Sequence, residues 1–364
     1  MTLMKRKSST APPARVPTAA ASLDNHAQVR AGPLRDLPAL LREHGVEPAP
    51  LIAACGLPAD AFGDDDHWLS FAAATYLLQR AVECTGRADF GLLLAERCDL
   101  SSLGAVARSM MLAPSVGAAL QVLRRDFHLH DRGAVPYVAD LGDGCVALGY
   151  ALSRHDTEGM AVTYDLAIGI GLKLLRSLCG RGFAARQVSF AHRAPKDVRP
   201  HRRFFGAPVT FNAAHTQIEF DASWLQRELP AGVAASRAAL QHAARLFDAD
   251  MPRSLGDRAH SVAQALLMAG GLCEPRIAAE LGLHSRNLRR RLAAEGLGVQ
   301  ALIDDVRDQL ARQLLAETQL SLVDIALALQ YTDVASFARA FRRRIGTPPG
   351  HWRSLHIKTP AVPR

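Results

Sequence analysis

Apolar positions follow two rhythms along the first two-thirds of the chain. From Leu34 to about Leu129 they return every three or four residues, the helical period. Leu37, Leu40 and Leu41 form one short face. Ser70 is placed to cap a helix over Phe71–Cys84, and further helices are expected over Leu92–Cys98 and Val106–Leu112. Ser115 opens another, with Leu120, Leu123 and Phe127 along one side. At Pro136 the rhythm shortens to two: Tyr137–Tyr150 contains two alternating runs around Asp143-Gly144. Asp-Gly suits a type I′ turn, so a β-hairpin is expected. A long helix follows over about His155–Cys179, its face lined by Met160, Tyr164, Ile168, Leu172 and Leu175. Gln187–Phe190 and Thr216–Phe220 read as short strands, and Trp224–Leu229 begins a helical connection that runs through Val233 to Phe247.

Past Pro275 one pattern is written twice. In the first copy Ile277, Ala278 and Leu281 share a helix face, Gly282 opens a tight turn, and Leu283 plugs the gap to a second helix over about Ser285–Glu295. Glycine fits there because it tolerates the left-handed backbone that ends a helix. Leu288 and Leu292 form the buried stripe of the second helix, and Gly296 ends it. Arg286, Arg289 and Arg290 lie three and four residues apart on the other face, so they project together. In the second copy Ile325, Ala326 and Leu329 form the first face. Thr332 is the expected N-cap of the next helix. Phe337 and Phe341 turn inward, Ser336, Arg339 and Arg343 turn outward, Gly346 stops the helix, and Pro348-Pro349 forbids continuation. A short apolar helix, a turn and an arginine-rich helix make a helix-turn-helix.

The segment between the copies, Val299–Glu317, contains no Pro or Gly, and Leu302, Val306, Leu310 and Leu314 recur every four residues. As a helix it spans roughly 28 Å. Successive major-groove faces on one side of B-DNA lie about 34 Å apart. A rigid spacer of that size would let both second helices enter adjacent turns of one duplex.

The tandem pattern resembles the DNA-binding domain of the AraC/XylS family of bacterial transcription regulators. The resemblance rests on Phe337-Ala-Arg-Ala-Phe-Arg-Arg343 and Gly346-Thr-Pro-Pro-Gly-His-Trp-Arg353, with Trp352 where Tyr is usual. Gln330 stands where the family places the turn glycine of the second unit, and His284 stands where a Ser N-cap is usual in the first. By position, the resemblance implies base-facing roles for Arg286, Arg289 and Arg290 and, in the second unit, for Val334, Ala335, Ser336 and Arg339. Arginine reads guanine through bidentate bonds to O6 and N7, whereas Val334 and Ala335 can only touch thymine methyls. The first unit is therefore expected to carry more sequence information. Arg291, Arg342, Arg343 and Arg344 are expected on phosphates, which position without specifying. The front half resembles the large N-terminal sensing domain in one branch of the same family, through Phe204-Phe-Gly-Ala-Pro-Val-Thr-Phe-Asn212, Ile218-Glu-Phe220 and Leu225. The fold implied is a multidomain α+β chain, with a mixed α/β sensor domain ahead of an all-α domain. The partners implied are double-stranded operator DNA, RNA polymerase and a small-molecule effector. A homodimer is also implied, more often an activator than a repressor, with no cofactor.

Charge sharpens this picture. Residues 251–364 carry 16 Lys and Arg against 10 Asp and Glu, while residues 1–250 carry 27 against 25. The basic excess sits on the tandem units, as an electrostatic footprint on DNA requires. The six cysteines form no Cys-x-x-Cys pair and read as buried, reduced thiols of a cytosolic, nucleoid-associated protein. No apolar run is long enough to cross a membrane. The expected layout is a disordered tail over 1–32, a sensing and dimerisation domain over 33–235, a linker over 236–252, the DNA-binding domain over 253–356 and a tail over 357–364.

Other chemistry in the front half is thin. His128, His130 and Asp131 resemble a metal pair but read as a surface cluster, since i and i+2 diverge on a helix and no third ligand is evident. His192, Lys196, Arg199, His201, Arg202 and Arg203 read as a solvated basic loop that could otherwise hold a carboxylate. No nucleophile elbow, phosphate loop or His-Glu-x-x-His is present. Two alternatives stand beside the regulator. One is a nucleic-acid packing protein that needs only charge, and the other is an enzyme fused to a DNA-binding tail.

Overall fold

The structure, a computed structural model, describes residues 27–153, 158–229 and 254–356. The front unit begins with β1 (Gln28–Arg30), which pairs antiparallel with β2 (Trp68–Ser70). Residues 27–32 were expected within the tail. Instead Arg30 and Ala31 are buried, because Arg30 Nε donates to Leu129 O and Nη1 to Asp66. The remainder of that tail, the linker and the tail over 357–364 lie outside the described residues. Helices α1 (Leu37–Glu43), α2 (Pro48–Ala54), α3 (Phe71–Thr85), α4 (Phe90–Arg97), α5 (Ala105–Met110) and α6 (Val116–Asp126) follow. Ser70 and Ser115 cap α3 and α6 as their positions predict.

The hairpin forms from β3 (Ala134–Gly142) and β4 (Cys145–Leu152). Asp143 and Gly144 both take positive φ, as a type I′ turn needs. Then come α7 (Met160–Cys179), β5 (Gln187–Ser189), α8 (Arg199–Phe205), β6 (Val209–Thr210) and β7 (Gln217–Asp221). Helix α7 begins at Met160 behind a left-handed Gly159, and residues 154–157 lie outside the described residues. After Trp224 the helix is a single 3-10 turn ending at Gln226, and Arg227 is extended. The predicted continuation to Phe247 lies outside the described residues. The sheet order is β3-β4-β7-β5-β6, antiparallel except for β5 with β6.

The back unit is helical: α9 (Leu255–Met268), α10 (Glu274–Glu280), α11 (Ser285–Ala294), α12 (Val299–Glu317), α13 (Leu322–Ala328), α14 (Val334–Ile345) and α15 (Pro349–His356).

Strands β3 and β4 are covered on both faces. Ala134, Val146, Leu148 and Leu152 join the sensor core under α6 and α7. Val135, Tyr137, Ala139, Ala147 and Ala151 face the other way and share one core with α9. Small residues on that face let a helix backbone approach. Gly149 is required by its cross-strand neighbour, since a Cβ there would sit 2.0 Å from the Tyr137 ring. Polar bonds also cross between the halves. Gln264 Nε2 donates to Leu152 O (2.5 Å), Gln313 Nε2 to the Tyr164 hydroxyl (2.7 Å) and Arg193 Nη2 to Ala316 O (3.2 Å).

Candidate nucleic-acid interface

Helices α10 and α11 form the first unit. Ile277, Ala278, Leu288 and Leu292 are fully buried, which fixes the opposite face of α11 toward solvent. Arg286, Arg289, Arg290 and Arg291 are all exposed there. Arg289 reaches back to α10, its Nε 2.7 Å from Glu274 Oε1, with its side chain 68% exposed. Gly282 takes φ +66° in open space, so only backbone geometry selects glycine. No side chain caps α11 at His284. Glu295, just past α11, accepts from the Leu255 and Gly256 N–H groups (3.1 and 2.8 Å), a carboxylate on the positive end of α9.

Helices α13 and α14 form the second unit, with Ile325, Ala326, Leu329, Phe337 and Phe341 buried. Val334, Ala335, Arg339, Arg342 and Arg343 are exposed, and Ser336 is half-buried. The cap of α14 is Asp333, where Thr332 was expected. Asp333 Oδ1 accepts from the Ser336 N–H (2.7 Å), and that bond holds its carboxyl below the ordinary range. The Thr332 hydroxyl donates to Asp333 Oδ2 (3.1 Å) instead. Ser336 Oγ donates to the same carboxylate (2.8 Å) and accepts from Arg339 Nη2 (3.1 Å), so Arg339 is tethered along its own helix.

Three side chains lock the second unit to its surroundings. Gln330 occupies the turn at φ +58°, a strained position for a residue with a Cβ. Its side chain offsets the strain. Nε2 donates to Leu267 O (2.8 Å) and Oε1 accepts from the Leu272 N–H (3.1 Å), fastening the turn to the end of α9. Arg307 of α12 donates to Leu329 O (3.1 Å) and lies over the Tyr331 ring at 4.9 Å. Arg344, expected on phosphate, instead pairs with Asp308 of α12. Asp308 is almost fully buried, and burial pushes its carboxyl up against the pull of Arg344. Trp352 packs edge-on to Phe341 at 6.1 Å, continuing the aromatic row Tyr331–Phe337–Phe341.

The front half departs from the sequence reading where charge is concerned. His130 and Asp131 are buried, not on the surface. The segment leaves α6 through a 3-10 turn and bridges β1 at Val29, which carries both side chains inward. Four of the six residues of the basic loop lie in helix α8. Its His201 is fully buried, and His192 nearly so. Both converge on Asp165 of α7, at 3.0 and 3.5 Å. Burial pushes the Asp165 carboxyl up, but the two histidines outweigh it and hold it low. Lys196, Arg199, Arg202 and Arg203 lie outside this triad. Among the described residues no group of three or more His, Cys, Asp or Glu side chains could hold a metal. Cys55, Cys98 and Cys179 are buried as expected, Cys145 is half-buried, and Cys84 and Cys273 are exposed because each sits on the outer face at a helix end. No helix among the described residues is long and apolar enough to cross a membrane.

Tandem helix-turn-helix units with exposed arginines, docked on a mixed α/β unit, define a two-part DNA-binding regulator. Residues 45–229 match the arabinose-binding N-terminal domain of AraC transcription regulators, and residues 277–354 match a helix-turn-helix domain family. The chain belongs to the AraC family of transcription regulators. It is 28% identical over 317 residues to the HTH-type transcriptional regulator VirS of Mycobacterium tuberculosis, covering 86% of this chain and 93% of that one. It is 29% identical over 328 residues to the ornithine utilization regulator of Pseudomonas aeruginosa, with the same shares covered. The crystal structure of the transcriptional regulator CdpR from Pseudomonas aeruginosa aligns with a TM-score of 0.45 at 23% identity, covering 89% of this chain and 98% of that one. The chain is a DNA-binding transcription regulator that responds to an effector.

Proposed function

We propose that the two recognition helices read one operator over adjacent major grooves. Arg286, Arg289 and Arg290 read bases in the first unit, and Val334, Ala335, Ser336 and Arg339 contact bases in the second. Arg291, Arg342 and Arg343 neutralise phosphates. Arg344 holds α14 on α12 through the buried Asp308 and is assigned a structural role. The observation that carries this reading is the pairing of fully buried rear faces with exposed arginines on α11 and α14. The Arg289–Glu274 contact pre-orients a guanidinium, which favours a directional base contact over a diffuse one. The regulator acts as a homodimer that engages RNA polymerase as an activator, and family membership supports this part. The functional unit spans the domains from about residue 27 to 235 and from 253 to 356, works in the cytoplasm and catalyses nothing.

Selection of bound sequences from a random duplex pool with the full chain tests the assignment. The Arg289→Ala variant should relax preference at one base and weaken binding there by about 1–3 kcal/mol. Arg342→Ala should weaken binding on every sequence alike and flatten the salt dependence. Uniform weakening by Arg289→Ala would move that residue to the phosphate class.

A further inference from the structure

The sensor half contains a partly open cavity of ≈ 100 Å³ between α3, α7 and β4. Its walls are almost wholly apolar, with Phe71, Leu78, Leu148 and Ile168 among them. Five polar residues interrupt them: Thr75, His130, Asp131, Tyr150 and Thr163. The two threonine hydroxyls are satisfied within their own chain segments, Thr75 Oγ1 donating to Ala72 O (3.0 Å) and Thr163 Oγ1 to Gly159 O (2.8 Å). His130 Nδ1 is buried and has no hydrogen-bond partner. Asp131 is 3% exposed, and its carboxylate accepts from the Tyr150 hydroxyl (2.7 Å) and the Gly133 N–H (2.7 Å). Neither partner is a cation. A buried carboxylate without countercharge is costly, and so is a buried nitrogen without a partner. An apolar chamber with an unbalanced anion and an idle acceptor is complementary to a ligand that brings a cationic donor on an apolar body.

We propose that this cavity is the effector site and takes a small apolar primary amine, its ammonium held by Asp131 and His130. The inference rests on the reading of the front half as the sensor and names the chemistry it senses. An engineered cavity of about 150 Å³ holds benzene, so a chamber two-thirds that size suits an apolar body of roughly four or five heavy atoms. The polar end is wired to the DNA-binding half. The Tyr150 ring meets Tyr164 edge-on at 6.2 Å, and the Tyr164 hydroxyl accepts from Gln313 of α12, the helix that spaces the recognition helices. An amine on Asp131 competes for the acceptor that now holds the Tyr150 hydroxyl. Occupancy thereby biases the Tyr150–Tyr164–Gln313 contact. Linkage requires such a difference between states for an effector to change DNA affinity.

The test uses the full-length protein and 3-methylbutylamine, with 3-methylbutanol and 3-methylbutanoate as isosteric controls. Binding is read by calorimetry and operator affinity by fluorescence anisotropy. The amine should bind saturably, at least tenfold tighter than either control. Asp131→Asn should weaken the amine at least tenfold, and the cavity-filling Ala74→Phe should abolish binding. Gln313→Leu should keep amine binding while losing most of its effect on operator affinity. Equal or tighter binding of the alcohol or carboxylate, with a shift in operator affinity, would overturn the amine assignment and leave the sensor standing. The same holds for amine binding undiminished in Asp131→Asn. A compound that occupies the cavity in wild type but leaves operator affinity unmoved would overturn both. Absence of saturable binding by the amine would overturn the proposal.

Discussion

The two halves of the molecule treat charge in opposite ways. In the back half the arginines of α11 and α14 stand in solvent above fully apolar rear faces. In the front half Asp131, Asp165, His130, His192 and His201 are all buried. A displayed charge needs nothing from its own chain, so its removal should leave stability alone and weaken a partner. A buried charge must be balanced from within or from a ligand, and the remaining imbalance is carried by the fold. His192 and His201 lie against Asp165, whereas among the described residues no cation pairs with Asp131. Back-half Arg344 follows the front-half rule, since its partner Asp308 is buried.

The largest effect should come from Asp131→Asn, and its sign should be stabilising. Burial pushes the Asp131 carboxyl up to about 6, against the pull of Tyr150 and the Gly133 and Ala134 N–H groups. The native state therefore holds more protons than the unfolded chain between about pH 4 and 6, and stability falls as pH rises through that window. His130, held down to about 3 by burial and by Arg30, contributes the opposite slope. The difference between wild type and Asp131→Asn isolates the carboxyl. The variant's advantage should grow from pH 4 to 6 and level off near about 3 kcal/mol, since each pKa unit is worth about 1.4 kcal/mol. Chemical denaturation across that range checks it.

Arg344→Ala should destabilise by about 2 kcal/mol, less than a fully buried pair because the arginine is one-third exposed. Replacing Asp308 and Arg344 together by leucine should recover most of that loss. Recovery would place Arg344 with the buried charges; a silent Arg344→Ala would return it to the displayed set. Gln330→Ala should cost about 1–2 kcal/mol, because it keeps the left-handed backbone and loses the bonds to Leu267 and Leu272. Gln330→Gly should cost less, since glycine relieves the strain while forfeiting the same bonds. Thermal denaturation ranks the two. The smallest change should be in the stability of Arg286→Ala, within about 0.5 kcal/mol of wild type. A larger loss would mean that α11 needs that arginine at home.

What could be read in the sequence follows the same division. The helix-turn-helix units were legible because period, turn glycine and arginine spacing are local signals. Leu288, Leu292, Phe337 and Phe341 are buried where the periodicity puts them. The cap of α14 was missed by one residue, since Thr and Asp are adjacent and both can cap; Asp333 has the reach to the Ser336 N–H. Gln330 was visible as an exception to a glycine position, but its compensation lies 63 residues away at Leu267. The front half hid its chemistry for that reason throughout. His192 and His201 meet Asp165 only after β5 and α8 fold over α7, and His130 turns inward only because its segment bridges β1. The alternation in β3 and β4 was legible, but the second covered face was not. Ala139, Ala147 and Ala151 look like filler until α9 lies across them.

DNase footprinting of the full-length protein on the DNA flanking its own gene, across a salt series, tests the central claim most directly. Two recognition helices spaced by α12 predict a discrete footprint of about two helical turns per subunit that keeps its borders as salt rises. Arg289→Ala should open protection in one turn only. Featureless coverage that fades with salt, alike for wild type and variant, would contradict the account and describe a protein that binds DNA by charge alone.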